Sequence, residues 1–77
     1  MWHLEAWDTN NKKLAKDYSL SFARTDPFLA RLLKRDISED QGGGWPMNAE
    51  QLRELSPHIP EPLTPDRYDY ILEYLQD

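Results

Sequence analysis

WHLEAWD at residues 2–8 and LAKDYSLSF at residues 14–22 decide the fold, because apolar and polar side chains alternate along much of both stretches. Such alternation is typical of a β-strand that has one covered face. Residues 9–13, TNNKK, separate the two stretches and have the composition of a turn. The sequence therefore predicts an antiparallel hairpin. Lys16 interrupts its apolar face and indicates a sheet edge, where lysine discourages further strand pairing.

A helix of about ten residues is predicted next, and the pair Asp26 and Pro27 marks its start. Aspartate is a favoured N-cap, and the first helical position is the one where proline is tolerated best. Apolar side chains at helical spacing follow within residues 28–33. The glycine-rich segment 38–44 cannot continue the helix, because ordering three glycines costs too much backbone entropy. We expect that segment to be a loop.

A short strand and a second helix are predicted after the glycines. Residues 45–47, WPM, are expected to be extended, because the residue before a proline avoids the helical region. Asn48 and Gln51 have the spacing of a capping box, which begins the helix. Three prolines within residues 56–62 end it and favour a stiff, extended connector.

PDRYDYILEYLQD at residues 65–77 is predicted to be a third helix. A cap-then-proline pattern precedes it at residues 64–65. At about 100° per residue, four apolar side chains fall within an arc of roughly 100°. These side chains are Tyr68, Ile71, Leu72 and Leu75. A strand would divide the four between two faces, so the strand interpretation ranks second.

The predicted fold is a single α+β domain over residues 1–77. It contains a small antiparallel sheet, made of the hairpin and a short third strand, packed against two to three helices. A chain of 77 residues buries only about 60–65 per cent of its unfolded surface, which is enough for one core and not for two.

Acidic residues dominate the second half of the chain. The net charge is −5 overall, and residues 36–77 hold two basic and ten acidic side chains. A negative field of this kind attracts basic proteins and repels nucleic acid. Lys12, Lys13 and Lys16 of the hairpin form no basic stripe, so we expect no direct nucleic-acid binding.

The candidate partner-binding surface is the polar side of the predicted C-terminal helix. Its acids fall within an arc of about 80°, and two tyrosines lie beside them. Acids one turn apart repel, and those at the C-terminal end oppose the helix dipole, so helix stability does not explain them. Tyrosines beside carboxylates suit a protein interface, although a solvated helix face is the plainer alternative. The candidates, with two loop acids that extend the surface, are Asp66, Asp69, Tyr70, Glu73, Tyr74, Asp77, Glu39 and Asp40.

No catalytic, cofactor-binding or metal-binding residue is predicted. His3 and His58 have no nucleophile or ligand pattern beside them, and acids exposed along one helix lack a pocket that would perturb their pKa values. Glycines 42–44 are not followed by the lysine of a phosphate loop. The chain has no cysteine, no long apolar run and no basic leader, which predicts a cytoplasmic protein without a membrane span.

Four motifs can be compared with a known family. They are WHLEAWD at residues 2–8, YSL at 18–20 with the leucine-rich stretch that follows, WPMNAEQLREL at 45–55 and DRYDYILEY at 66–74. Their layout resembles the small acidic immunity proteins encoded beside bacterial contact-dependent and related polymorphic toxins.

The resemblance implies a single-domain, non-enzymatic inhibitor that binds its cognate toxin domain in the producing cell's cytoplasm and blocks substrate access. The toxin is commonly a nuclease with a basic surface, and the free inhibitor is expected to be a monomer or a weak homo-oligomer. No binding residue transfers, because the interface differs from toxin to toxin. Two alternatives remain: a phage-encoded or regulatory nucleic-acid mimic that inhibits a DNA-binding protein, and an accessory subunit of a larger complex.

Overall fold

The computed structural model describes residues 1–34 and 44–75 of the chain. Within these ranges the elements are, in chain order, β1 (Trp2–Asp8), β2 (Leu14–Leu20), α1 (Pro27–Leu33), β3 (Gly44–Pro46), α2 (Ala49–Leu55), a short 3-10 helix (Ser56–His58) and β4 (Tyr68–Tyr74). None of the described helices is long and apolar enough to cross a membrane.

The four strands form one antiparallel sheet in the order β2, β1, β4, β3. The predicted hairpin is confirmed as β1 and β2. In this sheet β1 is a central strand, and its Leu4 lies opposite Tyr18 of β2 on one side and opposite Leu72 of β4 on the other. The predicted short strand is present as β3, but it pairs with β4 and not with the hairpin.

The C-terminal segment is a strand, so the prediction of a third helix within residues 65–77 is wrong. β4 pairs along its whole length with β1, and a helix there would leave the backbone groups along one edge of β1 without partners. Tyrosine and isoleucine also favour strands over helices. The buried side chains of β4 alternate along the strand, and they are Tyr68, Tyr70 and Leu72.

α1 and α2 begin at the predicted caps. The Asp26 side chain accepts a hydrogen bond from the backbone N–H of Phe28 at 2.9 Å. Asn48 and Gln51 form the predicted capping box, with hydrogen bonds of 2.9 and 2.8 Å. α1 is shorter than predicted, because it ends after seven residues where Lys34 adopts a left-handed backbone with φ of 56°.

The core lies between one face of the sheet and the two α-helices. Trp2 and Leu72 of the sheet pack in one buried cluster with Leu29 of α1 and Leu55 of α2. The indole N–H of Trp2 also donates to the carbonyl of Ala23 at 3.2 Å, which ties the chain before α1 to the sheet. The α+β class is thus confirmed, with four strands where three were predicted and two α-helices in the described ranges.

Candidate functional site

The face of the sheet opposite the core is called the open face below. Successive side chains of a strand point to opposite faces, so the residues between the core positions point away from the helices. On β1, β2 and β4 these residues are His3, Glu5, Trp7, Leu14, Asp17, Ser19, Asp69, Ile71 and Glu73. None of the described helices packs on the open face, because the buried side chains of α1 and α2 join the core on the other side.

Four carboxylates lie on the open face, and none of the positions just given is a lysine or arginine. Glu5 of β1 lies directly opposite Asp17 of β2. Glu73 of β4 lies directly opposite His3 of β1. Like charges on facing positions of neighbouring strands destabilise a sheet. The facing pair Glu5 and Asp17 therefore lowers the stability of the fold, which favours a binding role for these two acids over a structural one.

Glu73 lies near other acids of the open face. Burial raises the pKa of the Glu73 carboxyl, and the charge of Glu5 raises it further. Asp17 acts in the same direction, whereas His3 opposes the rise. Burial and neighbouring negative charge both disfavour the ionised form of this carboxyl group. A cationic side chain from another molecule would favour the ionised form of Glu73.

The polar side chains around Glu5 and Glu73 hold one another in place. His3 Nδ1 lies 2.8 Å from Asp17 Oδ1, and the indole N–H of Trp7 donates to Glu5 Oε1 at 3.2 Å. The Nε2 atom of His3 is buried and has no hydrogen-bond partner among the described residues. Only 9% of Glu5 is exposed. The acids on this part of the face are therefore held in fixed positions by a network of neighbours.

Two of the predicted binding residues, Asp69 and Glu73, lie on the open face. Asp66 is exposed and lies in the turn that precedes β4. Asp77, Glu39 and Asp40 fall outside the residues that the structure describes.

Tyr70 and Tyr74 alternate onto the core face, so the prediction that they share a surface with Asp69 and Glu73 is wrong. Tyr70 is only 3% exposed, and its hydroxyl oxygen accepts a hydrogen bond from the backbone N–H of Thr64 at 2.9 Å. The ring of Tyr74 packs edge-on against Trp2, with 5.3 Å between ring centroids. In a helix the tyrosines and the acids would share one surface. In a strand successive side chains lie on opposite faces, so the tyrosines and the acids are separated.

The predicted site omits the hairpin residues of the open face. His3, Glu5 and Trp7 occupy the alternate positions of β1, and Asp17 lies beside them on β2. The same alternation that predicts the hairpin also predicts that these side chains share one face. The C-terminal acids join this face only when residues 68–74 are assigned to a strand, and the helical spacing in the sequence favours a helix there.

The open face is suited to the cationic side chains of a macromolecule. Within residues 1–34 and 44–75, no group of three His, Asp or Glu side chains is arranged to hold a metal ion. The carboxylates are spread over three neighbouring strands, which lie about 4.8 Å apart in any sheet. Spacing of this kind matches several separate charges on a partner's surface.

Comparisons with known proteins give no match to this chain, whether with family models, with curated protein sequences or with solved structures.

Proposed function

We propose that this chain is an immunity protein, which binds a cognate bacterial toxin domain and inhibits it stoichiometrically. The observation that carries the proposal is the open face, whose four carboxylates have no lysine or arginine among them. The layout of sequence motifs supports the toxin class, because it resembles that of acidic immunity proteins. On this proposal the chain acts by binding and has no catalytic role.

A basic surface is the natural complement of the open face. Nuclease domains hold the phosphates of their substrates with lysine and arginine, so their active sites are positively charged. An acidic surface accelerates association with such a site through long-range attraction and does not compete for the nucleic acid itself. Seated over the basic site, the protein would exclude the substrate.

The sheet presents its acids in positions that are fixed before binding. β1 carries Glu5 and is paired on both edges, by β2 and by β4. Side chains on such a strand lose little conformational freedom when a partner binds, which favours affinity. Trp7 and Ile71 lie among the acids and are partly exposed, so they supply apolar contact area beside the charges.

The proposal is tested by binding and protection assays with the product of the adjacent gene. Asp17→Lys combined with Glu73→Lys reverses two charges of the open face. We expect the pair to weaken binding about 100-fold or more, which corresponds to about 2.7 kcal/mol. Calorimetry or surface-based kinetics measures the affinity, and survival of cells that express the toxin measures protection.

Glu50→Lys combined with Glu54→Lys is the matched control, because both residues are exposed on α2 and lie away from the open face. The control changes the net charge by the same amount and should leave affinity within a few-fold of the unmodified protein. Equal losses in both double variants would show that only net charge matters and would contradict the proposal. Tight binding to a DNA-binding protein in place of a toxin would instead favour the nucleic-acid mimic.

A further inference from the structure

A groove of about 340 Å³ runs along the edge of β4 beyond the end of β3. β3 has only three residues and pairs with the second half of β4, and the chain then leaves the sheet to enter α2. The first half of β4 therefore borders an open space between Pro65 on one side and α2 on the other. The volume lies within the range of about 300–1,000 Å³ that is usual for ligand pockets.

Apolar groups form most of the groove, and one charged side chain lies in its wall. Pro46, Met47, Leu52 and Ile71 supply aliphatic surface, and Asp69 is the only acid or base among the lining residues. Asp69 is exposed and forms no ion pair with any other described residue. A wholly apolar ligand would remove water from this carboxylate without replacing its hydrogen bonds, which is unfavourable. The groove therefore fits a ligand that has an apolar stem and a cationic end.

The groove is continuous with the open face. Asp69 and Ile71 belong to both, and Pro46 lies directly opposite Ile71 across the β3–β4 pair. A protein seated on the open face would reach the groove with a long side chain from its own surface. Of the two long basic side chains, arginine pairs with a carboxylate through two parallel hydrogen bonds, whereas lysine offers a single compact charge.

We propose that this groove receives an arginine side chain of the basic partner, with its aliphatic stem against Pro46 and Ile71 and its guanidinium on Asp69. The inference rests on the proposed function for the identity of the partner, and it assigns the partner's anchor residue. A side chain that fills a pocket at an interface typically contributes far more affinity than contacts at the rim.

The ring of Tyr68 also borders the groove but is not the anchor. Arg67 and Lys16 of the same chain already lie over it, with 5.5 and 5.8 Å from the cation to the ring centroid. A third cation on that ring would be repelled by the first two. The carboxylate of Asp69 is therefore the group that would hold the incoming guanidinium.

Short peptides test the groove without the toxin. The probe is acetyl-Gly-Arg-Gly-amide, and the matched peptides carry lysine or citrulline, the neutral isostere of arginine, at the central position. Backbone amide shifts recorded by NMR should saturate with the arginine peptide and cluster at Leu52, Asp69 and Ile71. We expect the lysine peptide to bind several-fold more weakly and the citrulline peptide at least tenfold more weakly. Equal affinities for arginine and citrulline would overturn the inference.

Asp69→Asn should abolish the preference for arginine over citrulline, whereas Asp66→Asn should keep it. The two variants remove the same charge three positions apart, and Asp66 does not line the groove. Equal effects of the two variants would also overturn the inference, because simple charge attraction would then explain the binding.

The same variants separate this inference from the proposed function. With the toxin domain, Asp69→Asn should weaken binding at least tenfold and Asp66→Asn less than threefold. If the double variant Asp17→Lys and Glu73→Lys abolished toxin binding while Asp69→Asn changed nothing, the groove inference would fail and the proposed function would stand. If the arginine peptide bound as expected and no basic toxin domain did, the proposed function would fail and the groove would remain.

Discussion

Glu5 of β1 and Glu73 of β4 lie on the same face of two paired strands, where burial and the charge of Glu5 raise the pKa of the Glu73 carboxyl. A negative charge on Glu73 is therefore less favourable in the folded protein than in the unfolded chain. At neutral pH this charge opposes folding. The pH dependence of unfolding measures this contribution to stability.

Glu73→Gln should stabilise the free protein at neutral pH. The pKa of Glu73 is raised in the folded state, so the folded protein binds this proton more tightly than the unfolded chain does. Its favourable contribution is present at low pH and is lost as the pH rises above the unfolded value of 4.5 and through the raised folded value. Glutamine removes the negative charge that Glu5 and Asp17 repel, and it should stabilise the sheet by roughly 0.5 kcal/mol at pH 7.

Urea unfolding of the Glu73→Gln variant at pH 4 and pH 7 checks this prediction. The gain should appear at pH 7 and shrink towards pH 4, where the native carboxyl is already protonated. A gain of the same size at both pH values would show that the charge of Glu73 is not its cause.

Glu61→Gln should have the opposite effect at neutral pH. Hydrogen bonds from the Tyr18 hydroxyl at 2.9 Å and from Lys16 at 3.3 Å lower the pKa of the Glu61 carboxyl. This contribution to stability is present above the unfolded pKa and is lost as the pH falls through the lowered folded value. The variant should therefore have a lower Tm at pH 7 and approach the Tm of the unmodified protein near pH 3. A Tm difference that is independent of pH would contradict the assignment.

Gly44→Ala should destabilise the β3–β4 pair. A Cβ atom at this position would lie 2.6 Å from Cγ2 of Ile71, which is closer than such atoms approach. Overpacking of this kind typically costs about 1–3 kcal/mol. Adding Ile71→Ala removes the methyl group that the new Cβ meets, so the double variant should lose less stability than the two single changes predict when added. Chemical denaturation of the three variants provides the measurement, and strict additivity would argue against the contact.

Tyr70→Phe should lower stability and change partner binding no more than about twofold, because the ring that lines the groove is kept. The hydroxyl of Tyr70 accepts a hydrogen bond from the backbone of Thr64, and its loss should cost about 1 kcal/mol. The ring remains in the core, and the open face is not altered. Denaturation and toxin-binding assays on the same preparation separate the two effects. A large loss of affinity with unchanged stability would restore Tyr70 as a binding residue.

Local signals in the sequence predict most of the fold. The hairpin follows from alternation, and both α-helices begin at Asp26 and Asn48, where a cap and its partner lie within a few residues. These features depend on neighbours in the chain and require no knowledge of distant contacts.

The C-terminal strand is the element that local signals in the sequence do not predict. Residues 68–75 satisfy two periods at once, because Tyr68, Ile71, Leu72 and Leu75 have helical spacing while Tyr68, Tyr70 and Leu72 alternate. The strand forms because the backbone of residues 68–74 pairs with the second edge of β1. Since β1 is far away in the sequence, a local pattern cannot reveal this pairing. The candidate site depends on this choice, because a helix places the tyrosines beside the acids and a strand places them on the opposite face.

The pairing of β1 with β4 also determines when the complete sheet can form during synthesis. Trp2 lies opposite Tyr74, so the central contact of the sheet joins strands far apart in the chain. Contacts of this kind close late, after the hairpin and the helices have formed. During synthesis β1 would keep one unpaired edge until β4 had left the ribosome. The complete sheet, and with it the open face, would therefore exist only after β4 has been synthesised, and proteolytic loss of β4 would remove Asp69 and Glu73 from that face.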